Sequence, residues 1–393
     1  MPALALLLAS GCASTLAPGE WGTFRYFGDI LGEPPMRLLP PLTDRDGNIY
    51  ALYGDLGRAD TQVFVGRING GWSGGCSAHR GIYGLHGFVG RSQDRVWYWS
   101  GDALVEVDGQ TGACNQILRD DPVSGTELSF LGIAPYIDET PSRRFTYALV
   151  QGGTGEPQFL MVDLDKALPF NVVPFPEELR DIAVLGTGAW VAERSSVFLV
   201  NWDSEIAAFF VDRFGQIQAT VGVNLPPNPQ PYTILGYLEF SDSGVGVGVM
   251  STGGVFVLTL QGGGAVDVPF TVGGVLRWGG EVYVTGTDGD EPVIAPVTPG
   301  GEIADAVPFT SSITASHTLD RKITVNDERG DPARARSWEA PRTAIGEHPL
   351  ISPWPLDAYT LWSTGWLVAG PNFDSGVEPV TAVAFAPVGL EVP

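Results

Sequence analysis

Cysteine, basic charge and helical periodicity are all scarce in this chain, and each shortage removes a class of function. Three cysteines stand in 393 residues, Cys12, Cys76 and Cys114, none in a Cys-x-x-Cys pair. The four histidines, His79, His86, His317 and His348, are scattered. That distribution argues against a zinc site. Lysine and arginine number 22 against 45 acidic residues, a formal net charge of −23, so the surface repels polyanions and disfavours nucleic acid as a partner. No His-Glu-x-x-His pattern and no Gly-x-x-x-x-Gly-Lys loop occurs, and no catalytic residue is assigned. The best helical candidate, Pro176 to Arg180, is one turn at most.

Turns and short β-rich runs are abundant. The 52 glycines and 31 prolines are spread over the whole length, punctuating stretches of Val, Ile, Phe, Tyr and Trp, which predicts many short strands and an all-β protein. A repeat is clearest near the C-terminal end. Gly274 to Trp278, Glu281 to Gly286, Pro292 to Val297 and Glu302 to Pro308 read as one four-strand unit. Thr233 to Phe240, Gly244 to Met250, Gly254 to Leu260 and Ala265 to Phe270 read as the unit before it, and the two close alike in VDVPFT and DAVPFT. The last unit reads Tyr359 to Ser363, Trp366 to Gly370, Pro379 to Phe385 and Leu390 to Val392. Further units begin near Leu38, Leu85, Ser129, Arg180 and Ser312. Meanders of this size cannot bury both faces alone and must stack, and the radial solution is a β-propeller. The expectation is eight four-stranded blades, with seven as the alternative because the charged unit at Ser312 reads as irregular; paired β-sandwiches are the other architecture. Trp21 to Ile30 precede the first complete unit and are placed to pair with the last blade.

The N-terminus adds a location. Ala3 to Ala9 form an apolar stretch followed by Ala9-Ser10-Gly11-Cys12, too short to cross a bilayer as a helix but within the range of a secretory h-region. The segment resembles the lipobox of bacterial lipoproteins. The resemblance implies a signal peptide over 1–11, lipidation of Cys12, a tether over 12–20, a single propeller domain over 21–393, and a place in the bacterial cell envelope, attached to the outer membrane through the lipid alone. Cys76 and Cys114 are then an even pair in an oxidising compartment, which predicts a disulfide closing about 38 residues. Asp44-Arg45-Asp46-Gly47-Asn48-Ile49-Tyr50-Ala51-Leu52-Tyr53-Gly54 looks like the strand-turn-strand element of bacterial propeller repeats. Glu106-Val107-Asp108-Gly109-Gln110-Thr111-Gly112 is similar to an element of pyrroloquinoline-quinone-type propeller repeats, without their tryptophan. In plan the chain resembles the bacterial β-propeller lipoproteins.

Candidate sites are few. Asp44 to Asn48 and Asp288-Gly289-Asp290-Glu291 offer alternating oxygen ligands to Ca²⁺, although Asp-Gly turns between strands need no metal; no cofactor is expected. Trp97 and Trp99 lie on one side of a strand and Tyr98 on the other. The longest irregular connections read Asp138 to Arg144, Asn224 to Pro231 and Asp327 to Pro355. The last carries Arg334, Arg336, Trp338 and Trp354, the residue types enriched at binding hot spots, and is the expected partner surface. The function expected is that of a non-enzymatic scaffold binding an envelope or extracellular protein. The alternatives are a carbohydrate- or ligand-binding propeller, and a secreted hydrolase or lyase with its site at the central channel.

Overall fold

The computed structural model describes strand backbones between Gly22 and Pro387 and, with side chains, Leu104, Glu106, Val173 and most of residues 129–163, 182–225 and 232–309. It is all-β: no helix occurs among the described residues. The first strand, β1 (Gly22–Phe27), pairs with none of the strands next to it in sequence. Next come β2 (Arg37–Leu38), β3 (Leu42–Thr43), β4 (Ile49–Gly54), β5 (Gln62–Arg67) and β6 (Trp72–Ser77), forming one sheet, then β7 (Gly87–Val89), β8 (Arg95–Ser100), β9 (Ala103–Asp108) and β10 (Cys114–Leu118). The same four-strand antiparallel order recurs in β11 (Ser129–Glu139), β12 (Arg144–Gln151), β13 (Pro157–Asp163) and β14 (Asn171–Pro174). It recurs in β15 (Ala183–Trp190), β16 (Ser195–Trp202), β17 (Glu205–Asp212) and β18 (Ile217–Asn224), and in β19 (Ile234–Phe240), β20 (Gly246–Met250), β21 (Val255–Thr259) and β22 (Gly262–Val266). Beyond them lie β23 (Thr271–Trp278), β24 (Glu281–Asp288), β25 (Glu291–Pro296) and β26 (Val307–Pro308), and β27 (Ser316–Leu319), β28 (Lys322–Asp327), β29 (Arg334–Glu339) and β30 (Thr343–Pro349). The last run is β31 (Ala358–Trp362), β32 (Gly365–Asn372) and β33 (Val380–Pro387), and here β1 supplies the fourth strand, with Gly22 opposite Phe385 and Phe27 opposite Thr381.

The β15–β18 and β19–β22 sheets are apolar on both faces, and each face is covered by a neighbouring sheet. In β16 the six residues from Ser195 to Val200 are all buried. Phe198 and Val200 pack with Tyr147, Leu149 and Phe159 of the preceding sheet, whereas Val197 and Leu199 pack with Leu238, Phe240 and Phe256 of the following one. Strand alternation thus feeds two separate seams from one strand. Aromatic edges cross both: Phe159 meets Phe198 at 6.1 Å and Phe210 meets Phe240 at 6.2 Å between ring centroids. The next seam is built of valines, with Val247, Val255 and Val257 against Val282 and Val284. Each such side chain, fully buried, contributes about 1.5–3 kcal/mol.

Leading strands of successive sheets come within 8 Å, Cα to Cα: β11 to β15, β15 to β19, β19 to β23, β27 to β31, and β31 back to β2. Two sheets, β15–β18 and β19–β22, are also hydrogen-bonded to each other at both edges, through the parallel pairs Gly188–Leu238 and Val223–Gly263.

Four expectations need correcting. Gly262-Gly263-Gly264, left between the expected strands Gly254 to Leu260 and Ala265 to Phe270, is the body of β22, and Gly264 abuts the backbone of β18: a Cβ there would stand 2.7 Å from Asn224 O. The fourth strand of the last sheet is β1, not Leu390 to Val392. The unit at Ser312, read as irregular, forms the ordinary sheet β27–β30. The connection Asp327 to Pro355 is correspondingly not a long loop. Val325 pairs with Arg336 and Ile323 with Trp338, so Arg334, Arg336 and Trp338 sit at alternate positions of β29. Their side chains, and all of Trp354, lie outside the described residues, as do residues 1–20.

The close approaches give a test. A Cβ on Gly186 would meet Ile234 Cβ at 2.7 Å, while one on Gly222 would meet nothing within 4 Å. Gly186→Ala and Gly264→Ala should each cost about 1–3 kcal/mol in denaturant unfolding. Gly222→Ala should change stability by less than about 0.5 kcal/mol; equal effects at the three positions would contradict the packing described.

Candidate functional site

A short motif sets the geometry of the leading strands. Phe130-Leu131-Gly132 opens β11, Val184-Leu185-Gly186 opens β15 and Ile234-Leu235-Gly236 opens β19. Register breaks between Phe130 and Gly132 and between Val184 and Gly186, and an irregularity spans Leu235 to Glu239. In β11 and β15 the leucine is thus the extra residue of a β-bulge, which bends the strand and re-aims side chains, whereas Leu235 is paired with Val249 and the surplus residues of β19 follow it. The glycine allows the next strand in: a Cβ on Gly132 would stand 3.0 Å from Val184 Cγ1, just as one on Gly186 would strike Ile234. Gly236 has φ +74, a conformation that favours glycine. Thr187 ties two of the strands together, its hydroxyl donating to Ile133 O at 2.8 Å.

Where these strands begin, they enclose a recess of about 510 Å³, lined chiefly by Phe130, Leu131, Ile133, Leu185, Leu235 and Tyr237. The volume falls within the range of ligand pockets. The wall is mainly apolar, with Thr187, Thr233 and Tyr237 in it, and Leu235 is 57% exposed, the same as the most exposed large hydrophobic residue described, Phe214.

A polar row runs on from the recess. Leu238 and Phe240 are buried in the seam with the β15–β18 sheet, so Tyr237 and Glu239, which alternate with them, face the other way, toward β23. Burial raises the titration of the Tyr237 hydroxyl. It also raises that of the Glu239 carboxyl, and nearby Arg277 of β23 lowers it by a smaller amount. Arg277 is engaged elsewhere: its Nη2 donates to Asp242 Oδ1 at 2.6 Å. The buried Nε of Arg277 has no acceptor among the described residues. Asp242 holds the end of the row, its N–H donating to Gly280 O at 2.8 Å and its carbonyl accepting from Trp190 Nε1 at 3.5 Å.

None of these residues was singled out from the sequence. The apolar-Leu-Gly triplet at the head of successive units is the signal that finds the recess. Of the residues that were singled out, Cys76 stands on β6 opposite Val63 and Cys114 on β10 opposite Val107, with side chains outside the described residues. Those of Trp97, Tyr98 and Trp99, on β8, lie outside them too. Asp44 to Asn48 also lie outside them. Asp288 to Glu291 form a tight turn with Gly289 at φ +59, accounted for by hairpin chemistry. Among the described residues no group of three His, Cys, Asp or Glu side chains is gathered to hold a metal. The sequence also carries Gly71-Trp72-Ser73-Gly74-Gly75, the spacing of a nucleophile elbow. Ser73 lies inside β6, paired with Gly66, and not on the strand-to-helix turn that such chemistry requires.

No protein-family model and no curated protein matches the chain. Solved structures do. BamB from Moraxella catarrhalis superposes with a TM-score of 0.45 at 13% identity, over 94% of this chain and 99% of that one. The Dos1 propeller gives 0.47 at 13%, over 73% and 74%. The WD40 domain of SCAP from fission yeast gives 0.42 at 10%, over 94% and 98%. The neighbours are propeller proteins, and likenesses this distant lend the chain no activity, ligand or partner.

Glu239 provides a pH test. A carboxyl whose folded value lies above its ordinary 4.5 contributes stability that is fully present below that value and is lost as pH rises through the folded one. Glu239→Gln removes this loss. The variant should therefore gain stability relative to the unmodified protein between pH 4 and pH 8, read from urea midpoints; a difference that stays constant or shrinks would contradict the burial of this carboxyl.

Proposed function

We propose that the chain is an eight-bladed β-propeller lipoprotein of the bacterial envelope and that it works without catalysis, as a scaffold holding a protein partner at the channel mouth where the leading strands begin. The observation that carries this reading is the recess itself. It is apolar, it is open, and it exposes Leu235 on a framework fixed by glycine contacts and the Thr187 hydrogen bond. A preformed apolar surface on rigid strands suits protein capture because little has to be ordered on binding. Excess acidic charge, −23 overall, favours neutral or basic partners.

The blade number rests on the four-strand order repeated along the chain and completed by β1. Anchoring through Cys12, with a signal peptide before it, rests on the lipobox-like segment. The Cys76–Cys114 disulfide rests on the even pair of cysteines left in an oxidising compartment once Cys12 is lipidated. The alternate Arg334, Arg336 and Trp338 of β29, with Trp354, form a second proposed contact surface.

A photo-crosslinking residue placed at Leu235 tests the scaffold reading in intact cells. It should give one discrete adduct with an envelope protein, absent when the same residue replaces exposed Gln216 in the β17–β18 turn. The mass of the membrane-extracted product should show acyl chains on Cys12 and the loss of two hydrogens at Cys76 and Cys114. No adduct from position 235, or one equally strong from position 216, would contradict the site.

A further inference from the structure

The ring has two distinguishable faces. Every sheet repeats the same antiparallel order, and β15 and β19 run parallel, so the leading strands begin on one face, at the recess, and end on the other. On that second face lie the turns from first to second strand and from third to fourth. Among the described residues four large hydrophobic side chains are exposed, and Leu235 of the recess is one. The other three stand at turns of the second face: Val191 between β15 and β16, Phe214 between β17 and β18, and Leu260 between β21 and β22, at 48%, 57% and 47% exposure. The described hairpin turns of the recess face, Ser251 to Gly254 and Asp288 to Glu291, carry only small or acidic residues. Apolar turn tips confined to one face are not the single, scattered residues of an ordinary surface.

The same face receives the chain coming from Cys12. β1 is the fourth strand of the last sheet and antiparallel to β33, with Gly22 opposite Phe385 near the end of β33, so the chain enters the ring on the side of the exposed tips. Nine residues, Ala13 to Trp21, separate Cys12 from Gly22, a reach of about 35 Å at full extension. Three sheets on one way round the ring and two on the other separate the sheet that β1 completes from β15–β18 and β19–β22. The tips thus lie across the ring from the point of entry.

We infer, on the lipoprotein reading, that this face rests on the lipid bilayer, the acyl chains of Cys12 holding one side of the ring while Val191, Phe214 and Leu260 enter the interfacial region on the other. The acyl chains supply the attachment. A short tether confines the tips near the surface, so side chains too few to bind a membrane alone are enough to fix the orientation. The Arg213 guanidinium lies 4.7 Å over the Phe214 ring, which sets a cation beside the entering ring at the depth of the headgroup phosphates. The neighbouring carboxylate is held inside the turn, Asp212 Oδ1 accepting from the N–H groups of Phe214 and Gln216 at 2.8 and 2.9 Å. The recess then opens away from the bilayer.

The test uses the acylated full chain in phosphatidylcholine vesicles containing a lipid with a nitroxide headgroup; zwitterionic lipid avoids repulsion of the net charge of −23. A fluorescent NBD side chain replaces Gln261, beside Leu260, or Thr252 on the recess face. Emission from position 261 should be quenched about threefold and that from position 252 hardly at all. Val191→Asp together with Phe214→Asp should bring quenching at 261 down to the level at 252, while acyl content and sedimentation with the vesicles persist. The urea midpoint, unaffected by changes at exposed turns, shows that this variant is folded; if it is not, the comparison of 261 with 252 in the unmodified protein decides alone. Quenching at 252 equal to or above that at 261, or quenching at 261 that survives both substitutions in folded protein, would overturn the face assignment and leave the anchor standing, provided the mass shows acyl chains on Cys12. Protein that carries no acyl chain and stays in the aqueous phase would overturn both.

Discussion

A four-stranded sheet that is apolar on both faces has no stable free end. Every residue of β16 from Ser195 to Val200 is buried, and the side chains leave alternately into two different seams. A neighbour is needed on each side, and that neighbour has the same need. A row of such sheets would expose an apolar face at each end, so the row has to return on itself. The pairing of β1 with β33 meets that demand with backbone hydrogen bonds, tying the beginning of the chain to its end.

Return to the start forces the leading strands together, and glycine is what lets them meet. Gly132 faces Val184, and Gly186 faces Ile234. Leu131 and Leu185 are the surplus residues of the bulges that accompany this approach, whereas Leu235 keeps a partner in Val249. Leu185 is buried, whereas Leu235 remains in water. The recess is therefore a by-product of how the strands are brought close, and so is its rigidity. Beside the valine seam between β19–β22 and β23–β26 stand the charged side chains of Glu239, Arg277 and Asp242.

Much of the fold was legible in the sequence because turn residues and strand residues are segregated in it. The strands Glu281–Asp288 and Thr271–Trp278 lie where glycine and Asp-Gly punctuation places them. Misreadings arose where glycine serves packing and not turning. Gly262-Gly263-Gly264 is a strand because a parallel neighbour leaves no room for side chains, a tertiary cause with no local signature. The charged stretch from Asp327 misled for the opposite reason, since Arg334 and Arg336 lie at alternate positions of a well-paired strand. Glu239 was illegible as a site residue: its relation to Arg277 spans sheets, and no spacing along one chain encodes it.

Ring closure is the claim on which the seams, the glycine contacts and the recess all depend. It is tested most directly by joining the strands that make it. Thr23 and Ala384 are register partners across β1 and β33, where Cβ atoms stand about 4.5–5.5 Å apart, near the reach of a disulfide. In the double variant Thr23→Cys, Ala384→Cys, oxidation of the folded protein should link positions 23 and 384, mapped by mass spectrometry, and raise the urea midpoint. Failure to link under native conditions, or linkage only after the protein has been unfolded, would contradict closure.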